Sequence, residues 1–340
     1  MIAVGKRAGL WWAAAAIWTA SYGGLGLYWA RGGAGFPYAE AVAARSAGAL
    51  LVGLPPGSTG VMIAVFAVAL LALATLRLFR RSETTMWPAR SAWTVAALLL
   101  LAVPDARLLV ALVNVLMLRF GDIPPMMPNQ IFVLAGAFAW WRAAQADRPP
   151  GAAGARPSSR ERRVWLAAVV LPLLYAARQL TWALGIHVGV SEEFVRPYTA
   201  PGARLTEAVL GSMTVAGALL TLGLRQKWGS RVPRWSPILP CRPVPVLLVV
   251  IPGGLAAIIL SAAGLSIYRG LLSMALGLTP AGPSAALENW AVWLPTLAWL
   301  PWGLALGIAT MDYHRRRRAT ASRLSLQAGS QALDEQPQHR

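Results

Sequence analysis

The sequence predicts an all-α membrane protein of eight transmembrane helices, arranged as two parallel four-helix repeats. Three observations carry that expectation. The 340 residues are 56% hydrophobic and only 13% charged, with a mean hydropathy of +0.53, whereas a soluble domain carries about 25% charge. The stretch YGGLGLYWARGG at 22–33 returns as YAARQLTWALGI at 175–186. At one fixed offset Tyr22 falls on Tyr175, Leu27 on Leu180, Trp29 on Trp182, Ala30 on Ala183 and Gly32 on Gly185, and upstream Trp12 falls on Trp165. Finally, the basic residues gather in alternate loops, as orientation signals do.

The first charge-free run, 8–30, is long enough to cross a ~30 Å hydrocarbon core. Lys6 and Arg7 before it resemble the start of a signal peptide. The run is too long for that, and its later half is the part that recurs internally, so a span is expected. Ala16, Ala20 and Gly24 give it a small-residue face. The loop 31–58 holds a segment, 39–54, able to form a short interfacial helix. Span two is 60–76, closed by Arg77, Arg80 and Arg81. Span three, 91–118, is interrupted by Pro104, Asp105 and Arg107 and is expected to kink there. The fourth apolar run is 123–141, with its spanning part beginning near Pro128.

Residues 147–163 are rich in Pro, Gly, Ser and Arg and read as a basic linker between repeats. The predicted domains are therefore 1–146, the linker 147–163, a second repeat 164–314 and a basic, disordered tail 315–340. Within the second repeat the spans are 164–184, 205–224, 244–267 and 289–311. Pro252 interrupts the third of these and pairs with Pro104 as the expected mark of the same kink in each copy.

Orientation follows from the arginines. Lys6, Arg7, Arg77, Arg80, Arg81, Arg90, the linker arginines, Arg225, Lys227, Arg231, Arg234, Arg242 and the run Arg315 to Arg318 all fall on one side. Only Arg31, Arg45, Arg119, Arg196, Arg204 and Arg269 fall on the other. Both termini are thus expected in the cytoplasm. Four spans per copy is an even number, which makes the repeats parallel. The net charge of +18 is accounted for by this asymmetry, and no nucleic-acid partner is expected. The expected partner is the lipid bilayer.

Charge inside a span is costly and normally paired. Asp105 and Arg178 each lie ~21 Å from the cytoplasmic end of their spans, so the two were candidates for a pair. Tyr175, Arg178 and Trp182 share a helix face by their spacing. Their counterparts Tyr22, Leu25 and Trp29 lack the charge, and Gln179 replaces Gly26. Glu207 falls near the same boundary. Candidate ligand-binding residues are therefore Tyr175, Arg178, Gln179, Trp182, Asp105, Glu207, Tyr22 and Trp29. The competing reading leaves Asp105 and Arg107 in the head-group region and lets Arg178 snorkel outward. His187 is a lone histidine, and the sole cysteine, Cys241, excludes an intrachain disulfide. The sequence carries no catalytic set and no motif for a metal or cofactor, so none is expected.

The YWA-x-GG element, the Pro-broken third span and the basic loops resemble uncharacterised integral membrane proteins of actinobacteria. That resemblance implies a four-helix unit in a bacterial plasma membrane and no known activity. The functional expectation is transport or binding of a small or lipidic ligand at the interface of the two repeats. One alternative is a lipid-modifying enzyme whose Tyr175, Arg178 or Glu207 holds a head group. The other is a membrane scaffold or assembly partner.

Overall fold

A computed structural model describes residues 2–39, 51, 53–79, 87–147, 159–199, 201–232, 242–278 and 286–334. The expected interfacial helix at 39–54 lies largely outside them, as do most of the linker and Cys241. Among the described residues the elements are helical: α1 (Ile2–Ala30), α2 (Pro56–Phe79), α3 (Trp87–Ala102), α4 (Arg107–Leu116), α5 (Met127–Ala146), α6 (Ser159–Ala183), α7 (Glu192–Val195), α8 (Pro201–Gly223), α9 (Val246–Ala275), α10 (Trp290–Thr296) and α11 (Trp299–Asp334). Short 3-10 turns and a single bridge between Arg231 and Pro243 complete the described secondary structure.

Five helical segments are long and apolar enough to cross a membrane: Pro56–Phe79, Glu161–Ala183, Gly202–Gly223, Val246–Ala275 and Leu287–Thr320. The pair α3 and α4, bent by 73°, makes a sixth if it is one span. Only 11% of the apolar stretch of α2 is buried, and it exposes Val61, Val65, Phe66 and Val68. Water does not tolerate such a surface, and hydrocarbon does. The chain is a helical membrane protein.

It divides into two compact units. Unit 1 comprises Met1–Gly151 and Leu265–Thr279; unit 2 comprises Ala152–Gly264 and Pro280–Arg340. The division departs from the expected domains in giving the last part of α9 to the first unit. In unit 1, α1 packs against α2 and α5, and α5 also packs against α3. One face of α1 carries Trp12, Ala15, Trp18, Tyr22 and Trp29, all buried in the core together with Val133, Trp140 and Ala143 of α5. Gly136 of α5 leaves room for Trp18, whose ring occupies the place a Cβ there would need. Trp140 Nε1 donates to Thr19 Oγ1 at 3.2 Å, and Trp18 Nε1 to the Phe132 carbonyl at 2.7 Å. Across the α1–α2 crossing, Gly26 meets Gly60 backbone to backbone, the close approach that small residues permit.

In unit 2, α6 packs against α8 and α11. The first part of α9 meets α11 along a seam of small residues. Gly303 sits on Ser261 and the Ala257 carbonyl, Gly307 on Ala257, and Gly253 on Thr310. The α1 and α6 helices end alike. Gly32 and Gly185 have φ of 85° and 83°, and each donates to the carbonyl three residues back, Trp29 and Trp182. The next amide, Gly33 or Ile186, reaches Tyr28 or Thr181. This left-handed cap satisfies the last carbonyls and needs a glycine.

The same three residue types also close one end of each unit. Arg77, at the end of α2, grips Asp147 after α5 with Nε at 2.8 Å and Nη2 at 2.7 Å, and Trp12 Nε1 donates to the same carboxylate at 3.1 Å. In unit 2, Arg225 after α8 bonds Asp312 of α11 at 3.4 Å. Its guanidinium lies 5.7 Å from the ring of Trp165, the counterpart of Trp12.

Several expectations need correction. Pro252 lies inside α9, which continues unbroken to Ala275, whereas Pro104 sits in the bend between α3 and α4. The two prolines do not mark one kink. Arg269, placed outside the span by charge alone, is within α9. The 315–340 tail is not an irregular segment over its first part, because α11 runs to Asp334. Arg316 donates to the Leu224 carbonyl, and Arg317 to those of Ser230 and Val244. The linker is likewise helical from Ser159.

Two outcomes test this packing. Gly60→Val should lower the unfolding temperature in detergent clearly more than Gly24→Val, whose added Cβ meets nothing within 4 Å. Asp147→Ala leaves Arg77 with no carboxylate and should cost ~1–3 kcal/mol, since the pair is mostly but not fully buried. Asp312→Ala should cost less, because its bond to Arg225 is long at 3.4 Å and its closer partner, Arg316 at 2.9 Å, is more exposed to solvent. Thermal melts followed by size exclusion read both.

Candidate functional site

The α6 residues singled out in the sequence come together in unit 2. Arg178 Nη1 donates to Gln179 Oε1 and lies 3.3 Å from Glu207 Oε2 of α8. Arg178 Nε donates to the Ala291 carbonyl of α10 at 3.2 Å. Its guanidinium lies over Trp182, 3.5 Å from the ring centroid. Trp182, Gln179 and Glu207 are buried. Tyr175, one turn earlier, packs its ring against Trp299 and Trp302 of α11. The arginine is thus held by a carboxylate, an amide oxygen, a backbone carbonyl and an aromatic face. Together these offset much of the cost of removing its charge from water.

The Ala291 carbonyl is brought there by the turn after α6. Ala291 N–H donates to the Gly189 carbonyl at 3.1 Å. The buried Asn289 Oδ1 accepts from the Ser191 amide at 2.7 Å. His187 sits edge-on to Trp182.

Asp105 is not part of this arrangement. In unit 1 it is fully buried and takes Arg107 as its partner, with Nε at 3.0 and 3.1 Å and Nη2 at 2.5 Å. The Asp105 carboxylate also accepts the Arg107 amide at 2.9 Å, which caps the start of α4 after Pro104 breaks the helix. The reading that left Asp105 and Arg107 in the head groups therefore gives way to a buried ion pair. Arg269, on the part of α9 that belongs to unit 1, donates from Nη1 to the Leu101 carbonyl at 2.7 Å. From Nη2 it reaches the Pro104 carbonyl at 2.8 Å and Ser266 Oγ at 2.9 Å. It thereby satisfies carbonyls that the end of α3 leaves open.

Tyr22 and Trp29 belong to a neighbouring set on α1. Tyr22 stacks on Trp18 at 5.3 Å and meets Trp29 edge-on. Its hydroxyl lies 2.6 Å from that of Tyr38 and donates to Asn129 Oδ1 at 3.2 Å, while Asn129 Nδ2 donates to the Tyr38 hydroxyl at 3.3 Å. Burial pushes the Tyr38 phenol above its ordinary range, against smaller opposing effects of its bonds to Tyr22 and Asn129. The trio is therefore neutral at physiological pH.

Two spaces adjoin the trio. A groove of about 550 Å³ is lined by Leu25, Trp29, Gly35, Phe36, Pro37, Pro125, Met126, Pro128, Asn129 and Phe132. A chamber of about 10 Å³, room for about one water, is lined by Tyr38, Leu51, Val103, Asp105, Arg107, Met126, Asn129 and Gln130. Met126 and Asn129 wall both. Tyr38, Asn129, Gln130 and Arg269 were not singled out in the sequence. The adjacent amides Asn129 and Gln130, at the head of an otherwise apolar helix, were the signal available.

Set against family models, curated proteins and solved structures, the chain matches none.

Arg178→Ala should destabilise the protein by about 3 kcal/mol, because it strands a buried Glu207 carboxylate. Adding Glu207→Gln should recover much of that loss. Unfolding by a denaturing detergent, followed by circular dichroism, measures both; equal stability of wild type and Arg178→Ala would mean the pair contributes nothing.

Proposed function

We propose that the chain is an eight-span plasma-membrane protein, built as two parallel copies of a four-helix unit with both termini in the cytoplasm, and that it binds a lipidic ligand in the groove of unit 1. The groove is the observation that carries the binding reading. Its walls are mostly aromatic and aliphatic, with Asn129 the amide among them, and its volume suits a chain-bearing molecule. The other polar cluster, around Arg178, is occupied by its own partners. Asp105 and Arg178 each find a counter-ion within their own unit, so the depth match between them no longer argues for a site shared by the two copies.

The doubling is supported by matched features in each unit. These are the left-handed caps at Gly32 and Gly185, the first helix packed on the second and last, and the Trp–Arg–Asp closures. The two helices missing from the apolar set, α1 and α5, pack against each other in the core of unit 1. Helices that turn one face inward can carry tryptophan, glycine and amide side chains on it, so eight spans remain the proposed count.

A scaffold reading is favoured by one observation, the internal pairing of Asp105, Asp147, Glu207 and Asp312. The two separate by experiment. Protein purified in mild detergent should retain lipid seen by native mass spectrometry, and Leu25→Trp, which fills the groove, should release most of it. Identical lipid retention by a folded Leu25→Trp variant would favour the scaffold. Fusions at the carboxyl terminus should fluoresce with a cytoplasmic reporter and stay silent with a periplasmic one.

A further inference from the structure

We infer that the lipid taken by the unit 1 groove is anionic, with its chain along the aromatic wall and its acidic head group toward the cluster of Asp105, Arg107 and Arg269. The inference rests on the groove-binding reading above and adds the class of head group.

The order of the surfaces comes first. The apolar groove and the polar chamber share Met126 and Asn129. An occupant lying along Trp29 and Phe36 therefore has its other end beside the Asn129 amide, with Arg107 in the wall beyond. That sequence of surfaces fits an amphiphile and suits neither a purely apolar molecule nor a small polar solute.

The sign of the charge comes second. Arg107 and Asp105 form a close two-pronged pair and cancel. Arg269 feels the same Asp105 charge but is not hydrogen-bonded to it, so one carboxylate serves two arginines. Its terminal nitrogens donate to two backbone carbonyls and a serine hydroxyl, all neutral. Its Nε is buried with no hydrogen-bond partner among the described residues. The cluster therefore holds one positive charge in excess, in surroundings where water screens it poorly. Among the described residues, the loops that wall the groove add exposed Arg31 and Arg119 against exposed Asp122. A zwitterionic head group brings no net charge to offset this excess; a phosphodiester with one net negative charge does.

The test uses the full chain in detergent micelles, titrated with phosphatidylglycerol or phosphatidylcholine carrying identical brominated chains. The readout is the quenching of tryptophan fluorescence that disappears in Trp29→Phe. Phosphatidylglycerol should reach half-quenching at a lipid fraction about fivefold lower than phosphatidylcholine, the scale of one basic residue acting on an acidic lipid. Arg269→Gln keeps an amide donor for the α3 carbonyls and should bring the two curves together. The exposed double variant Arg31→Gln/Arg119→Gln does not touch the packing and should narrow the preference even if Arg269→Gln fails to fold. Equal quenching by both lipids in the wild type overturns the head-group assignment and leaves the groove reading standing. The absence of any Trp29-dependent quenching overturns both. A preference unchanged in every folded charge variant places its origin elsewhere and also overturns the assignment.

Discussion

A charge held among apolar helices needs a counter-ion or a set of polar groups within bonding distance, and in this protein acidic partners are scarce. The chain has 13 acidic residues for 31 basic ones. Asp105, Asp147 and Asp312 are each bonded to an arginine at a helix end or break, and Glu207, inside α8, is bonded to Arg178 inside α6. The first three pairs decide where segments stop and turn. Asp147 ties the end of α5 to the end of α2 and the start of α1. Asp105 lets the chain leave α3 at Pro104 and begin α4 with its first amide satisfied. Such pairs are weak sources of stability when compared with apolar replacements. Their effect here is to fix the relation of one helix end to another, because a half-made pair in this environment costs more than either a full pair or none.

Between those fixed ends the helices are held by contact, which lipid alone does not drive. The two units meet that need differently. In unit 1 the α1–α2 crossing brings Gly26 against Gly60, while large indoles fill the α1–α5 space around Gly136. In unit 2 the seam between α9 and α11 is built from glycine, alanine, serine and threonine. A consequence is that α1 and α5 carry tryptophan, threonine and amide side chains in their interior-facing stripes. Their composition is less apolar for that reason, whereas the lipid-facing α2 shares the strongest apolar signal with α9.

Much of the fold was legible in the sequence because it rests on length, apolarity and punctuation. The starts and ends of most helices, the broken third span and the recurrence at Tyr22 and Tyr175 could all be read there. The grouping of Arg178, Gln179, Trp182 and Glu207 was legible in part, because three of them share one helix face at fixed spacing. What escaped is which partner each buried charge takes. Nothing local says that Arg107, two residues away, would satisfy Asp105, or that Arg269 would reach back to the carbonyls of α3. Basic residues at helix ends look alike in sequence whether they face lipid head groups or cap a neighbour, so Arg316 and Arg317 read as orientation signals only. A proline inside an apolar run is equally ambiguous. At Pro252 the helix absorbs it, whereas at Pro104 the following Asp105 offers its carboxylate to the next free amide and makes the break stable.

The difference between the units at one matched position bears most on function. Gly26 of α1 abuts Gly60 of α2; Gln179 of α6 abuts Gly211 of α8. In the first unit the crossing is bare backbone, and the aromatic face beside it, from Trp29 to Phe36, lines an open groove. In the second, Gln179 and its neighbour Arg178 fill the corresponding region, and Glu207, Ala291 and Trp182 close around them. If both units descend from one ancestor, the polar substitutions consumed the space that the other copy kept. The more conspicuous residues in the sequence are then the ones that bond to one another, and the quieter stretch, with its aromatic rings, prolines and one asparagine, is the one that lines an open groove.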